Sequence, residues 1–307
     1  MYSSTALKGK ILVVAFEGWN DAGEAASSAV SVLRDELELV ELASFDSESL
    51  FDYQLVRPRL AFDDAGVRQL IWPQVTLFAP SVPAARPTAL ALDADLDITG
   101  ANASNIYLLC GPEPSRNWKT LSQDIVDLLL AADIEAVIFL GSLLADVPHT
   151  RPISIFASSE NPEVRQVLEL EKSTYEGPTG ILSVLAQGCE SVGISTVSLW
   201  ASVPHYVHHT PSPKATLALI DRIEELIDFT IPRADLLRES QEWESNIDAL
   251  AAQDDEMAAY IQSLEVARDE SASPTASGEA LAREFEKFLR TQDEEDQGPS
   301  STDQSEG

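Results

Sequence analysis

Apolar residues recur along this chain in two alternating rhythms. Lys10-Ile-Leu-Val-Val-Ala-Phe16 is a continuous apolar run, the pattern of a strand covered on both faces. Over residues 21–37 the apolar positions Ala22, Ala25, Ala26, Ala29, Val30 and Leu33 follow a helical period. Asn20 or Asp21 supplies the cap, and Glu24 stands three residues after Asp21 as in a capping box. Residues 40–45 read as the next strand. The rhythm then breaks: β-rich runs at 69–72 and 75–78 are split by Pro58, Pro73 and Asp63-Asp64-Ala-Gly66, which predicts an antiparallel excursion at the sheet edge. Residues 81–103 are Pro-, Ala- and Asp-rich and read as a mobile surface loop.

Alternation resumes with strand 105–110, helix 115–132, strands 135–141 and 153–157, helices 161–170 and 179–191, and strand 195–202. A helix over 213–229 follows the start signal Pro211-Ser-Pro213. This order predicts an α/β fold, a three-layer sandwich around a mainly parallel sheet. After Pro232 the strand signals stop. Residues 233–269 have a helical period carried by Leu236, Leu237, Trp243, Ile247, Leu250, Met257, Ile261 and Leu264. The predicted organisation is an α/β domain over 1–232, a helical appendage over 233–290 that includes a short helix near 279–290, and a disordered acidic tail over 291–307. The helix at 233–264 carries more apolar residues than a solvated helix needs, so it is expected to dock on its own domain or on a neighbouring subunit.

Charge narrows the partners. Formal net charge is −31, from 20 Lys+Arg against 51 Asp+Glu in 307 residues. Such a surface repels phosphate backbones and anionic lipid, so neither nucleic acid nor a membrane is expected as a partner. Residues 235–307 hold 20 acidic and 5 basic residues, about half of the excess. The two cysteines, Cys110 and Cys189, do not form a disulfide framework and fit a reducing compartment. Residues 1–10 contain no long apolar region and 11–16 are too few for a signal core or a span, so a soluble, cytoplasmic protein is expected.

Candidate chemistry collects in the segments that follow the strands. Glu17-Gly-Trp-Asn-Asp-Ala-Gly-Glu24 lies between the first strand and the first helix, where ligand crevices form in open α/β sheets. Its glycines lack the dinucleotide spacing, and no Gly-Lys-Ser/Thr makes a phosphate loop. It reads either as a capped tight turn with a wedged Trp19 or as a contact surface using Glu17, Asn20 or Asp21. The four histidines fall in two places: His149 ends Ala-Asp146-Val-Pro-His149, and His205 ends a second Val-Pro-His, with His208 and His209 close behind. Both Val-Pro-His turns follow strands and are expected at the edge that carries Glu17. Asp146 with His149 could do acid–base work, and His149, His205 and a carboxylate could hold a metal. The flanking prolines favour turns over a ligand helix, so structural or partner-facing histidines are the expected reading, with no metal. Ser158-Ser159 and Gly177-Pro-Thr-Gly180 could hold an anion at helix starts or act as ordinary caps. No Gly-x-Ser-x-Gly elbow occurs. No catalytic residue and no cofactor is expected.

Taken together, Glu17 to Gly23, Gly111-Pro-Glu113-Pro114 with Trp118, Gly141 to Pro152, Tyr175 to Gly180 and Trp200-Ala-Ser-Val-Pro-His205-Tyr206 resemble the successive signatures of the proteasome assembly chaperone 2 (PAC2)-like family, in its actinobacterial branch. They appear in order across about residues 10–230. The resemblance implies a phosphorylase/hydrolase-like sandwich, and homo-oligomers in which trimers are favoured. It implies a protein-binding scaffold that engages itself or another protein complex, with binding candidates Glu17, Trp19, Asn20, Asp21, Glu113, Asp146, His149, His205 and Tyr206. Archaeal relatives that engage the proteasome carry a hydrophobic-Tyr-x tail, whereas this chain reads Asp303-Gln-Ser-Glu-Gly307, which argues against docking by that route. The competing reading is an enzyme, hydrolase- or phosphorylase-like, acting on a small polar substrate at the strand carboxyl edge. That reading requires its acid and base candidates to share one cleft.

Overall fold

In chain order the strands are β1 (Lys10–Glu17), β2 (Val40–Ser44), β3 (Arg59–Phe62), β4 (Arg68–Ile71), β5 (Thr76–Ala79), β6 (Ile106–Pro112), β7 (Ile134–Ala145), β8 (Ile155–Ser158) and β9 (Ser195–Pro204). The helices are α1 (Ala25–Glu36), α2 (Ser47–Leu50), α3 (Trp118–Ala131), α4 (Pro162–Leu168), α5 (Ile181–Ser191), α6 (Pro213–Ile227), α7 (Leu236–Ala251) and α8 (Asp255–Ser271). This computed structural model describes residues 7, 9–81, 105–170 and 172–271. Apart from Ser81, the surface loop expected at 81–103 lies outside them, as do the helix near 279–290 and the acidic tail.

The main sheet has seven strands in the order β2-β5-β6-β1-β7-β9-β8. The central four, β6-β1-β7-β9, are parallel, and β5 and β8 add antiparallel neighbours at either side. β3 and β4 form a separate antiparallel hairpin. The sandwich follows from side-chain alternation. Ile11, Val13 and Ala15 of β1 enter one core with α1 and α6, while Leu12, Val14 and Phe16 enter the other with α3 and α5. All six are essentially fully buried, and each large apolar side chain so removed from water contributes roughly 1.5–3 kcal/mol. The unbroken apolar run in β1 is the signature of that double coverage.

Two helix starts differ from the sequence expectation. A 3-10 turn over Ala22–Glu24, with Gly23 at φ +59 and Glu24 at φ +49, moves the start of α1 to Ala25. The Asp21 carboxylate still caps it, accepting from Ala26 N at 2.8 Å and Ser27 N at 3.3 Å, so Asp21 acts without the capping box. The single helix expected over 233–264 is two helices, α7 and α8. The break falls at Asp254, whose Oδ1 accepts from Glu256 N and Met257 N at 3.0 and 3.1 Å and starts the second.

Among the described residues no helix is long and apolar enough to cross a membrane. Both cysteines are free. Burial pushes the Cys110 thiol up to about 11 and the Cys189 thiol up to about 12, so thiolate is scarce at pH 8 and both sulfurs should be inert. Ellman's reagent at pH 8 is expected to titrate neither thiol of the native chain and both after denaturation; prompt native labelling would contradict this.

Candidate functional site

The carboxyl ends of the four parallel strands open on one rim, and the loops that leave it are tied together by buried polar contacts. The loop after β1 continues the sheet briefly: Ser142 N donates to Asn20 O at 2.8 Å, and Asp21 forms a parallel bridge with Ser142. Asp21 is buried beneath this loop, with Ser142 Oγ 3.4 Å from its Oδ1. Desolvation raises its carboxyl above the usual range, an effect that its hydrogen bonds partly offset.

Adjacent β1 and β6 hand over to helices on opposite faces, α1 and α3. In open sheets this arrangement creates a crevice between strand ends. Here Glu113 fills it. Its Oε1 accepts from Asn20 Nδ2 and from Ile181 N, both at 2.9 Å, so the carboxylate occupies the positive end of α5. Of the two readings of Gly177–Gly180, anion holder or ordinary cap, the structure shows a helix start that takes its anion from the chain itself. A Cβ on Gly180 would lie 2.5 Å from the Asn20 amide, which is why the helix start can come so close. Glu17 is exposed and joins through its backbone, its carbonyl accepting from Glu113 N at 3.0 Å.

The two Val-Pro-His turns meet on the other side of the rim, under the C-terminal helices. His149 is fully buried. Its backbone N–H donates to Tyr206 Oη at 2.7 Å, its Nδ1 lies 2.9 Å from the same oxygen, and its Nε2 lies 3.0 Å from Asp248 Oδ1 in α7. One assignment satisfies all three: Tyr206 donates its hydroxyl proton to Nδ1, and Nε2–H donates to Asp248. Burial pushes the Tyr206 phenol up to about 12. The Trp243 ring stands edge-on to the His149 ring at 6.3 Å. His205 Nδ1 is 3.2 Å from Asp146 Oδ1, close enough for an ion pair when protonated but angled away from a good hydrogen bond. Tyr260 of α8 donates to the same Asp146 oxygen at 3.2 Å.

Further ties run alongside. Lys214 Nζ donates to His149 O and to Glu244 Oε2. Arg151 grips Asp269 with two bonds at 2.9 and 2.8 Å and also reaches Glu265. α7 and α8 therefore dock on their own chain, directly over the histidine turns.

These contacts divide the sequence candidates. Asn20, Asp21 and Glu113 form one knot, while Asp146, His149, His205 and Tyr206 form another beneath α7 and α8. Trp19 packs with Tyr175 and Trp200 on Leu143 and Ala145. A cavity of about 620 Å³ is bounded by Trp19 and Asn20 but by none of the other candidates. A smaller one of about 260 Å³ is bounded by Asp21, Trp19, His208 and His209. Asp146, His149 and His205 thus lie together, apart from Asp21 and Glu113, and neither cavity is bounded by any of the three. Among the described residues no three His, Cys, Asp or Glu side chains stand in position to hold a metal ion. Sequence reasoning missed Asp248, Trp243, Tyr260 and Glu265, which lie on helices read only as an appendage. It also missed Glu190, Thr196 and Ser198 of the larger cavity. The strict alternation Thr196-Val-Ser198-Leu-Trp200 was the available signal for the two strand residues, since a strand with one polar face does not pack wholly against apolar core on that side; nothing local marked Glu190.

Residues 15–251 match the family model described as the PAC2 family. The chain belongs to the PAC2 family. Among solved structures it is similar to a PAC2 family protein from Streptomyces avermitilis, at 38% identity and TM-score 0.69, covering 82% of this chain and 99% of that one. It is similar to a proteasome-assembly chaperone homologue from Mycobacterium tuberculosis, at 36% identity and TM-score 0.68, with the same coverage of 82% and 99%. A second Mycobacterium tuberculosis protein, of unknown function, shares 27% identity and TM-score 0.75 over 94% of this chain and 92% of that one. Among curated proteins none matches. The PAC2 sandwich expected from the motif series is the one observed.

The docking of α7 on the PAC2 rim gives a measurable expectation. Asp248→Ala leaves the buried Nε2–H of His149 without its acceptor and should cost roughly 1–3 kcal/mol. Amide exchange should quicken in α7 while β1 and β7 keep their protection. Unchanged protection of α7 would show that the histidine contact does not hold it.

Proposed function

We propose that this chain is a homo-oligomeric, cytoplasmic protein-binding scaffold with a role like that of proteasome assembly chaperones. The hairpin β3–β4 carries this reading. Leu60 pairs with Leu70 and Phe62 with Arg68, so Leu60, Phe62 and Leu70 share one face; they are 57, 73 and 48% exposed. On the opposite face Ile71 is also half exposed. A two-stranded hairpin is marginal in water by itself. This one is kept in register by its turn, where Asp63 Oδ1 accepts from Ala65 N and Val67 N and Gly66 takes φ +74. Trp72 anchors it, its ring 4.8 Å from Tyr53. An ordered hairpin with bare apolar faces is an interaction surface.

A second copy of the chain is the occupant that charge favours. Residues 57–72 carry Arg57, Arg59 and Arg68 against Asp63 and Asp64, on a chain of net charge −31. The hairpin is the apolar, locally basic complement of an otherwise acidic surface, which suits a head-to-tail contact closing into a ring. Three copies is the number implied by the resemblance to bacterial relatives. The relative described as a proteasome-assembly chaperone homologue supports extending the role to another protein complex. That neither cavity is bounded by Asp146, His149 or His205 weighs against the enzyme reading.

Light scattering after size exclusion at micromolar concentration is expected to give three times the monomer mass of 33.3 kDa. Phe62→Ser with Leu60→Ser should return it to the monomer without changing far-UV circular dichroism. A wild-type monomer would overturn the oligomer. For the chaperone role, the oligomer should speed ring formation by purified actinobacterial proteasome α-subunits on native gels, and unaltered assembly would argue against it.

A further inference from the structure

The 620 Å³ cavity touches the first knot only at Asn20 and shares no residue with the second or with the hairpin. It lies on the α5 side of β8 and β9, beyond the edge of α5, with the 172–180 segment as its outer wall. β9 alternates here: Val197, Leu199 and Ala201 enter the core with α6, whereas Thr196, Ser198 and Trp200 border the cavity. Three aromatic rings, Trp19, Tyr175 and Trp200, stand at one end, and glycines make their placement possible. A Cβ on Gly141 would come within 2.6 Å of the Trp200 ring, and one on Gly177 within 2.4 Å of the Tyr175 hydroxyl. Tyr175 is fixed by donating to Pro178 O at 2.7 Å.

At the other end stand Glu160 and Glu190. Glu190 is held in place by Thr196, its Oε1 accepting from the backbone N at 2.9 Å and from Oγ1 at 2.7 Å. Among the described residues, no Lys, Arg or His borders the cavity.

We propose that this cavity binds an organic cation, an amine or guanidinium group, seated between the aromatic rings and the Glu160 and Glu190 carboxylates. The chemistry selects this class. Indole and phenol faces attract cations, most strongly where water is partly excluded. Two carboxylates on a chain of net charge −31 repel phosphates and other anions. Outside the lining, Glu160 already pairs with an ammonium, Lys172 Nζ lying 3.4 Å from its Oε2 with both side chains more than half exposed, so a bound cation would share or replace that exposed pair. The volume is that of an ordinary small-ligand pocket and admits a linear polyamine or one basic side chain of a partner.

The test titrates the full chain with spermidine and, separately, with arginine amide, following tryptophan fluorescence and heat at two salt concentrations. Adenosine, glucose and inorganic phosphate serve as comparators. Saturable, single-site binding of at least one cation is expected, with the comparators at least about tenfold weaker, a difference of 1.4 kcal/mol. Glu160→Gln is an exposed and fold-neutral change; it and Trp19→Leu should each weaken binding by about tenfold, while Glu48→Gln on α2 should leave it unchanged. Preference for spermidine identifies a free polyamine as the ligand, and preference for arginine amide identifies a partner's basic side chain. Absence of saturable cation binding overturns the proposal. So does equal weakening by Glu48→Gln, which would mark a diffuse counter-ion effect, or tighter binding of a comparator. The Phe62→Ser, Leu60→Ser chain should bind the same cation, so failure of the oligomer and failure of the cavity read out separately.

Discussion

A parallel sheet gathers the ends of its strands, and the polar groups of the loops behind them, along one edge. Buried donors and acceptors there call for partners, and in this molecule the chain supplies many of them from its own side chains, with Ser202, Ser212 and Trp243 the exceptions among the described residues. Glu113 sits on the start of α5 and holds Asn20. Asp21 caps α1. His149 spans from Tyr206 to Asp248. In enzymes built on open sheets the same edge is left unfilled for a substrate. Here Glu113, Asp21 and His149 are already committed to neighbours of the same chain, while the smaller cavity beside Asp21, His208 and His209 stays open on this edge.

The fold was legible because its strongest signals are local and redundant. The β1 run reports burial on both faces, and the 213–229 periodicity with its Pro-Ser-Pro start marks α6, whose Leu219, Ile220 and Ile223 are fully buried. The family was legible because several loop motifs occur in one order. That the Glu17, Asp146–His149 and His205–Tyr206 segments share an edge followed from strand direction alone. What covers them did not. The partner of His149 lies 99 residues away on α7 and that of Arg151 118 residues away on α8. No local pattern ties two elements so distant, and an acidic amphipathic helix reads the same whether it faces water or a lysine. The start of α1 was misplaced for a subtler reason: Gly23 and Glu24 adopt left-handed angles that a Ser/Asp/Glu pattern does not reveal.

The acidic excess also takes on a structural meaning. Glu244, Asp248, Glu265 and Asp269 are carboxylates of the C-terminal helices, and all four face cationic or N–H donors of the rim: Lys214, His149 and Arg151. Surface ion pairs are individually weak. Several converging on one edge, beside a buried histidine and the Trp243 ring, fix orientation as much as they add energy. In 235–271, therefore, charge is used for placement.

α8 buries only a little apolar surface, chiefly Ile261 and Leu264, and is otherwise fastened by Arg151 to Glu265 and Asp269 and by Tyr260 to Asp146. Ionic contacts at the surface fade as electrolyte rises, over a screening distance of about 8 Å at physiological strength, whereas the oily seam between α6 and the sheet does not. The last fastening of the molecule is thus the one that the surrounding medium can loosen, and it happens to be the one lying across the histidine turns.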